Sequence, residues 1–471
     1  MRIIGRALEQ DVLRRCLESG KPEFLAVYGR RRVGKTFLIR EAYKDHVVFC
    51  LTGAPQATLK QQLRNFDEAL DEWGGRAHAP AKDWFDAFRQ LKDYLRRFRH
   101  HRRKVVFIDE ISWLATQRSA FLAALDHFWN SFASTRDDLI LVICGSATSW
   151  IIDNIVNARG GLHNRLTRQL RLDPFSLAEC ELYCRDKGIQ LNRVQLAQLY
   201  MVLGGIPYYL DFLERGQSPE QAVDALFFAR GAPLAGEYAN LYASLFKNPE
   251  RHLRIIDILS RKTAGATQRE LFAALKAKPG GTLSKALLEL EQCGFIRVYH
   301  DFTKPRQGRF YQLSDFYTLF YHHQIRPTSL PAPRHWQSQS RQGGWNAWYG
   351  LAFERLVAAH LDQVRRALGI SGVTTAVLGW RSREATPGVQ IDLIIRRADG
   401  IVDLLEAKFT AKPFALDEDY DKLLLYRRET FCDETKTDKA VHIVMVSASG
   451  LTPSSRTGMI QNVVTLDDLF A

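Results

Sequence analysis

The hydrophobic positions of this chain change period several times, and each change marks a predicted element. Phe24-Leu25-Ala26-Val27-Tyr28 is an unbroken apolar run closed by Gly29, the pattern of a strand buried on both faces. Val105–Ile108 and Leu139–Cys144 repeat it, and His46–Leu51 is a further, shorter strand. Helical stretches such as Phe37–Tyr43 lie between them, which predicts a parallel α/β sheet over the first third of the chain. From Ser176 to about Phe246 the pattern is mostly helical, with a sharp break at Leu203-Gly204-Gly205-Ile206-Pro207.

Residues 251–325 have another rhythm. Leu253–Ser260 is amphipathic, Thr267 with Glu270 forms a capping-box pair, and Pro279-Gly280-Gly281 leads into a third helix, Lys285–Gln292. Gly294–Tyr299 and Gly308–Leu313 then alternate as the two strands of a hairpin. Three helices and a hairpin predict a winged helix-turn-helix. Its third helix would enter a major groove and its hairpin would lie on the backbone. Packing within the protein is the alternative role of such a module. His322–Gly344 holds Pro327, Pro331 and Pro333 and no acid, and reads as a domain boundary. Beyond it come a helix (Trp345–Leu361), three strands (Thr374–Trp380, Gly388–Ile395, Gly400–Phe409), a helix (Asp417–Thr430) and a strand (Ala440–Val446).

The chain has 471 residues, 46% of them hydrophobic, which suits about three domains and excludes a mainly disordered chain. Lys and Arg number 65 against 52 Asp and Glu, a net charge of +13. Residues 250–344 hold 15 basic and 7 acidic side chains, whereas residues 345–471 are slightly acidic. That uneven charge directs a nucleic-acid partner, DNA first, to the middle segment. A basic surface that only aids solubility is the alternative. Lys285, Arg297, Lys304, Arg306 and Arg309 are its candidate phosphate contacts. Arg96, Arg97, Arg99, Arg102, Arg103 and Lys104 form a second cluster, either a phosphate contact or a solvated helix end. No apolar run approaches the ~20 residues of a membrane span, and the opening residues have no signal-peptide core. A cytoplasmic protein without a membrane partner is expected. The seven cysteines are scattered, and Cys180 and Cys184 have no second pair at zinc-site spacing. His100-His101 and His322-His323 look exposed and lack matched carboxylates.

Two constellations carry chemistry. Gly29-Arg30-Arg31-Arg32-Val33-Gly34-Lys35-Thr36 between a strand and a helix matches the phosphate-binding P-loop. Its glycines let backbone N–H groups wrap phosphates, aided by the helix N-terminus. Lys35 would reach the β- and γ-phosphates of ATP, and Thr36 would hold Mg²⁺. Val105–Ile108 ends in Asp109-Glu110. Asp109 suits the Mg²⁺ side, Glu110 is placed to polarise an attacking water, and Ser146 closes the next strand near the γ-phosphate. The acid pair resembles P-loop proteins that insert a strand between the two nucleotide motifs, for which His46–Leu51 is the expected strand.

Near the other end, Asp392 is followed by Glu406-Ala407-Lys408. Side chains alternate along a strand, so Glu406 and Lys408 share a face, and Asp392 on a paired strand can reach it. Two carboxylates and the Ala407 carbonyl are hard oxygen ligands of the kind Mg²⁺ prefers. Lys408 would position or help deprotonate a water, and Glu354 could add or orient a ligand. An internal ion pair between Lys408 and the acids is the alternative.

Taken together, these motifs resemble the archaeal-type AAA ATPases. The landmarks are Ile4-Gly5-Arg6 with Glu9, the Gly29–Thr36 loop, Asp109-Glu110, Gly145-Ser146, and an arginine before Pro174-Phe175. The resemblance implies that Arg165 is the arginine near a γ-phosphate, with Arg168 as competitor and a surface ion pair as the alternative for either, and that the helical region is a lid over the nucleotide. It also implies ATP hydrolysis, and a homo-oligomer if the arginine acts in trans. The order of the last elements, with Asp392, Glu406 and Lys408, resembles restriction-endonuclease-like nucleases, although Ile391 stands where many carry proline.

The expected fold is therefore α/β. It comprises a P-loop NTPase parallel sheet (1–175), a helical lid (176–249), a winged helix-turn-helix (250–325), a linker (326–344) and an α/β restriction-endonuclease-like domain (345–471). The expected function is an ATPase coupled to DNA, with a Mg²⁺-dependent nuclease domain. The alternative is an ATP-controlled DNA-binding or signalling regulator whose last domain does not cleave.

Overall fold

The computed structural model describes residues 2–471 except 75–77, 99–102, 117, 158–160, 247, 277–280, 305–307, 329–333, 341–344 and 383. Arg99, His100, His101, Arg102, Pro279, Gly280, Arg306, Pro331, Pro333 and Arg341 lie outside the described residues. The chain divides into two compact units, Met1–Pro174 and Phe175–Ala471.

The first unit is built on five parallel strands: β1 (Glu23–Gly29), β2 (Val47–Thr52), β3 (Lys104–Asp109), β4 (Leu139–Gly145) and β5 (Arg168–Leu172). Their order across the sheet is β2-β3-β4-β1-β5. Every residue of β3 and β4 is buried, which is why these strands read as continuous apolar runs. The strand lying between β1 and β3 is β4, not Val47–Thr52, which forms the sheet edge beside β3. Sequence order cannot reveal this, because parallel neighbours need a crossover and the next strand in sequence lands elsewhere.

The sheet's base is pinned by a buried charge cluster. The Asp138 carboxylate lies 2.6 Å from Lys104 Nζ and 2.7 Å from Arg136 Nε. Burial alone would raise its pKa, but the hydrogen bonds from Arg136 and Lys104 outweigh burial and hold the group well below the usual carboxylate range. Lys104 is thus consumed inside the unit, and Arg103 donates to the carbonyls of Cys16 and Asp137. Neither is free to form an external phosphate patch. Asp138→Asn leaves Lys104 and Arg136 uncompensated and is expected to cost about 3 kcal/mol. The stabilisation is present above the unfolded-state pKa of ~3.9 and is lost as pH falls further towards the folded value. Thermal melts at stepped pH should therefore show the wild type losing its advantage over the variant below about pH 4.

The second unit opens with helices, including Leu177–Asp186, Arg193–Leu203 and Glu237–Leu245. The segment read as a lid thus belongs to this unit. The Leu177 N–H donates to His360 Nε2 (3.1 Å), and the Tyr200 ring meets both Phe316 and His360 edge-on. Then come the helices Glu250–Arg261, Gln268–Leu275 and Gly281–Gln292, with β6 (Ala266–Thr267), β7 (Ile296–Asp301) and β8 (Arg309–Leu313). The Thr267–Glu270 capping box is present in both directions. His322 and His323 are not exposed. His322 Nε2 lies 2.9 Å from the Tyr238 hydroxyl and His323 Nε2 lies 2.9 Å from the Ser260 carbonyl. Burial, with Arg326 adding to it, pushes the His322 pKa down to about 4.

The remaining strands are β9 (Thr375–Arg381), β10 (Gln390–Arg397), β11 (Ile401–Lys408), β12 (Ala440–Ser447) and β13 (Ile460–Thr465), with helices Trp345–Ala359 and Glu418–Thr435. Pairing is antiparallel from β9 to β11 and parallel from β11 to β13. One junction was not foreseen. β7 pairs in parallel with β9 through His300↔Leu378 and Asp301↔Gly379, so one eight-stranded sheet, β13-β12-β11-β10-β9-β7-β8-β6, runs through both segments. The approach is close: a Cβ on Gly379 would stand 2.2 Å from the Tyr299 ring. The β7 edge of the hairpin is thereby paired.

Candidate functional sites

At the first site, β1 delivers the chain into the loop and the helix Lys35–Ala42 takes it out. Gly29 has φ +146°, and a Cβ there would lie 2.2 Å from the Leu172 carbonyl oxygen, so only glycine fits. Lys35 is buried, and its ammonium donates to the carbonyls of Gly29 and Arg30, both at 2.8 Å. Arg30 and Val33 are buried, Arg31 and Arg32 half-buried, and Gly34 (φ 89°) precedes the helix. The Thr36 hydroxyl donates to Asp109 Oδ2 at 2.7 Å. A hydroxyl and a carboxylate so joined are a hard-oxygen pair suited to Mg²⁺.

Glu110 follows β3 in a left-handed conformation, φ 47°. The Ser146 hydroxyl donates to its carboxylate, at 2.9 Å from Oε1 and 3.0 Å from Oε2. The placement of β4 between β1 and β3 makes this contact possible. Arg6 belongs to the opening Ile4-Gly5-Arg6 motif. Its buried guanidinium donates to the Val33 carbonyl at 3.2 Å, tying the start of the chain to the loop.

The two arginines stand elsewhere. Arg168 begins β5 opposite Leu25, whereas the loop leaves β1 at Gly29, roughly 13 Å further along the strand. Arg165 is exposed and lies two residues before Thr167, whose N–H donates to the Phe24 carbonyl at 2.9 Å. Both therefore lie at the end of the sheet away from their own phosphate loop.

At the second site, Glu354, Asp392, Glu406 and Lys408 line one pocket of about 220 Å³, together with Arg297, Gln390, Arg427 and Arg428. Continuing the register Ile394↔Leu404 places Asp392 opposite Glu406. A bulge between Ile391 and Ile394 interrupts the pairing of β10 with β9, a distortion that can re-aim a side chain at a strand end. Gln390 donates its amide to Asp392 Oδ1. Glu406 accepts from the Tyr420 hydroxyl and from Arg427 Nη1 (2.8 Å), and lies 3.3 Å from Lys408 Nζ. The Lys408 ammonium stands 4.5 Å from the centre of the Tyr420 ring, a cation–π contact. Burial, opposed by Arg355 and reinforced by the negative charges of Asp392 and Glu406, pushes the Glu354 pKa up to about 6. Among the described residues no group of three or more His, Cys, Asp or Glu side chains is gathered to hold a metal. The pocket offers a carboxylate pair rather than a preformed cage.

Sequence reasoning missed Tyr420, Arg427, Arg428 and Gln390, which come from elements distant in sequence or carry no distinctive spacing. Of the candidate phosphate contacts, Lys285, Lys304 and Arg309 are exposed, whereas Arg297 turns into this pocket.

Residues 4–213 match a family described as an ATPase domain predominantly from Archaea. Over that stretch the chain is similar to archaeal-type ATPase domains. Over 400 residues the chain is 22% identical to an uncharacterized protein of Methanocaldococcus jannaschii, covering 83% of each. A Walker-type ATPase of Pyrococcus abyssi is similar over 67% of this chain and 95% of its own, at 20% identity and a TM-score of 0.47. The ORC2 protein of Aeropyrum pernix, in its ADPNP–ADP complexes, is similar over 71% of this chain and 93% of its own, at 14% identity and a TM-score of 0.44. Among the described residues, no helix is long and apolar enough to cross a membrane.

Proposed function

We propose that the protein is an ATP-hydrolysing switch whose C-terminal segment is a Mg²⁺-dependent nuclease acting on nucleic acid, DNA first. The observation that carries the nuclease reading is the meeting of Asp392, Glu406, Lys408 and Glu354 in one pocket. Acids and a lysine are rare on apolar strands without a task. The order of helices and strands over 345–471 supports a restriction-endonuclease-like domain, and three helices with a hairpin over 250–313 support a winged helix.

At the ATPase site Lys35 would leave the Gly29 and Arg30 carbonyls for phosphate oxygens. Thr36 and Asp109 would hold Mg²⁺, which when bound offsets phosphate charge. Glu110, steadied by Ser146, would accept hydrogen bonding from the attacking water. Arg165 points to action on a neighbouring copy, because its own loop is too far. ATP turnover per subunit should then rise with protein concentration, and Arg165→Ala should flatten that rise. Concentration-independent turnover would argue against the oligomer. Residues 176–249 are read as the lid.

At the C-terminal site Asp392, Glu406 and the Ala407 carbonyl would hold Mg²⁺, which when bound stabilises the charge of phosphodiester cleavage. Lys408 would orient the attacking water once Glu406 is shared. The deciding experiment incubates the purified chain with DNA and RNA in Mg²⁺ or Mn²⁺, with and without ATP, beside Asp392→Ala. Absence of cleavage by the wild type on every substrate would remove the nuclease. The ion pairs closing round Glu406 favour a second reading, a regulator that binds DNA without cutting it. Binding whose affinity falls steeply with salt, without cleavage, would support that reading.

A further inference from the structure

The C-terminal pocket takes part of its wall from outside the C-terminal segment. Arg297 stands on β7, in the hairpin that precedes residues 326–344, and it lines the same pocket as Glu354, Asp392 and Glu406. The parallel join of β7 to β9 brings it there. Its Nε donates to Gln312 Oε1 at 2.6 Å. Gln312 is fully buried and anchored in turn by its own amide to the Thr263 carbonyl, at 2.9 Å. The near end of the guanidinium is therefore fixed. Among the described residues, its two terminal amino groups donate to no partner and lie within ion-pair distance of no carboxylate. The neighbouring Arg355 is held differently: its Nε and Nη2 donate to the carbonyls of Leu313 and Thr263, and its Nη1 stands 3.8 Å from Glu354 Oε2. A planar, pre-aimed pair of donors facing a carboxylate cluster without touching it suits a bidentate phosphate oxygen pair. Two carboxylates alone would repel a phosphodiester.

We infer that Arg297 positions a backbone phosphate of a nucleic-acid strand over the Asp392–Glu406 pair, making the C-terminal site a composite of the 250–313 and 345–471 segments. This rests on the nuclease reading of the pocket. The basic middle segment then acts within the site as well as beside it.

The test uses the full chain without nucleotide. Fluorescein-labelled DNA duplex, single-stranded DNA and RNA are titrated in Ca²⁺, and Mn²⁺ binding is measured by calorimetry. The proteins are wild type, Arg297→Ala, Arg297→Lys and Asp392→Ala. Arg297→Ala is expected to raise Kd for the preferred strand about tenfold or more, with Mn²⁺ binding and melting temperature retained. Arg297→Lys should recover part of the loss. A purely structural arginine would instead lower Mn²⁺ binding and the melting temperature together, and that result overturns the inference. So does an unchanged Kd in Arg297→Ala. If the wild type shows no Mn²⁺ binding that Asp392→Ala removes, the nuclease reading and this inference fall together. Asp392-dependent Mn²⁺ binding with strand affinity indifferent to Arg297 overturns only the inference.

Discussion

Lys35→Ala is expected to lower ATP turnover about a hundredfold to a thousandfold, the scale of one lost charge contact to a transition state in a desolvated site. The expectation follows from where the ammonium already is. It is buried and held 2.8 Å from the Gly29 and Arg30 carbonyls, so it sits at the loop before any phosphate arrives. Alanine removes the charge while the loop's backbone, set by Gly29 and Gly34, has no reason to change. The loss should therefore appear mainly as activity, with only a small fall in melting temperature from the two lost carbonyl hydrogen bonds. Phosphate release at saturating ATP, beside a thermal melt, measures both. Ser146→Ala is the graded comparison. It removes only the hydroxyl that holds the Glu110 carboxylate, and about a tenfold loss in kcat with little change in KM is expected. A Lys35→Ala protein turning over ATP at the wild-type rate would place the chemistry elsewhere.

The parts of these sites that were legible are those whose chemistry dictates local spacing. The Gly29–Thr36 loop needs its residue types in a row, and Asp109-Glu110 sits at the end of an apolar run that can only be a buried strand. Asp392, Glu406 and Lys408 were legible for a related reason, because alternation along a strand says which residues share a face. What could not be read was pairing between strands. Ser146 meets Glu110 because β4 lies between β1 and β3, whereas the sequence pointed to His46–Leu51 for that place. Arg297 looked like one more cation of a basic module. Only the join of His300–Asp301 to Leu378–Gly379 turns it towards the acids. Gly379, bare in the middle of the bulky strand Thr375–Arg381, was the one local hint that something must approach closely there. The histidine pair at 322–323 failed for the opposite reason: polar residues after an aromatic run look exposed until Tyr238 and Ser260 are found against them.

Asp392→Ala is expected to abolish metal-dependent cleavage, a loss of about a thousandfold or more, while ATP turnover stays at the wild-type level. Asp392 is the cleanest position at which to ask the question. Among the described residues it makes no ion pair, and its hydrogen bond comes from the adjacent Gln390 amide. Its replacement breaks no ion pair among the described residues, so the fold should lose no more than about 1 kcal/mol. Glu406 is different. It is shared by Tyr420, Arg427 and Lys408, and Glu406→Ala would leave two cations uncompensated as well as removing a metal ligand. A fall in activity there would mix both causes. The pair of variants therefore separates a metal site from an internal ion-pair cluster. If the acids exist to bind Mg²⁺, both variants lose cleavage, but only Glu406→Ala lowers the melting temperature markedly. If the acids exist only to neutralise Lys408 and Arg427, Asp392→Ala behaves as wild type in every assay. The ATPase measured in parallel guards the comparison, since its candidate groups, Lys35, Thr36, Asp109 and Glu110, include neither acid.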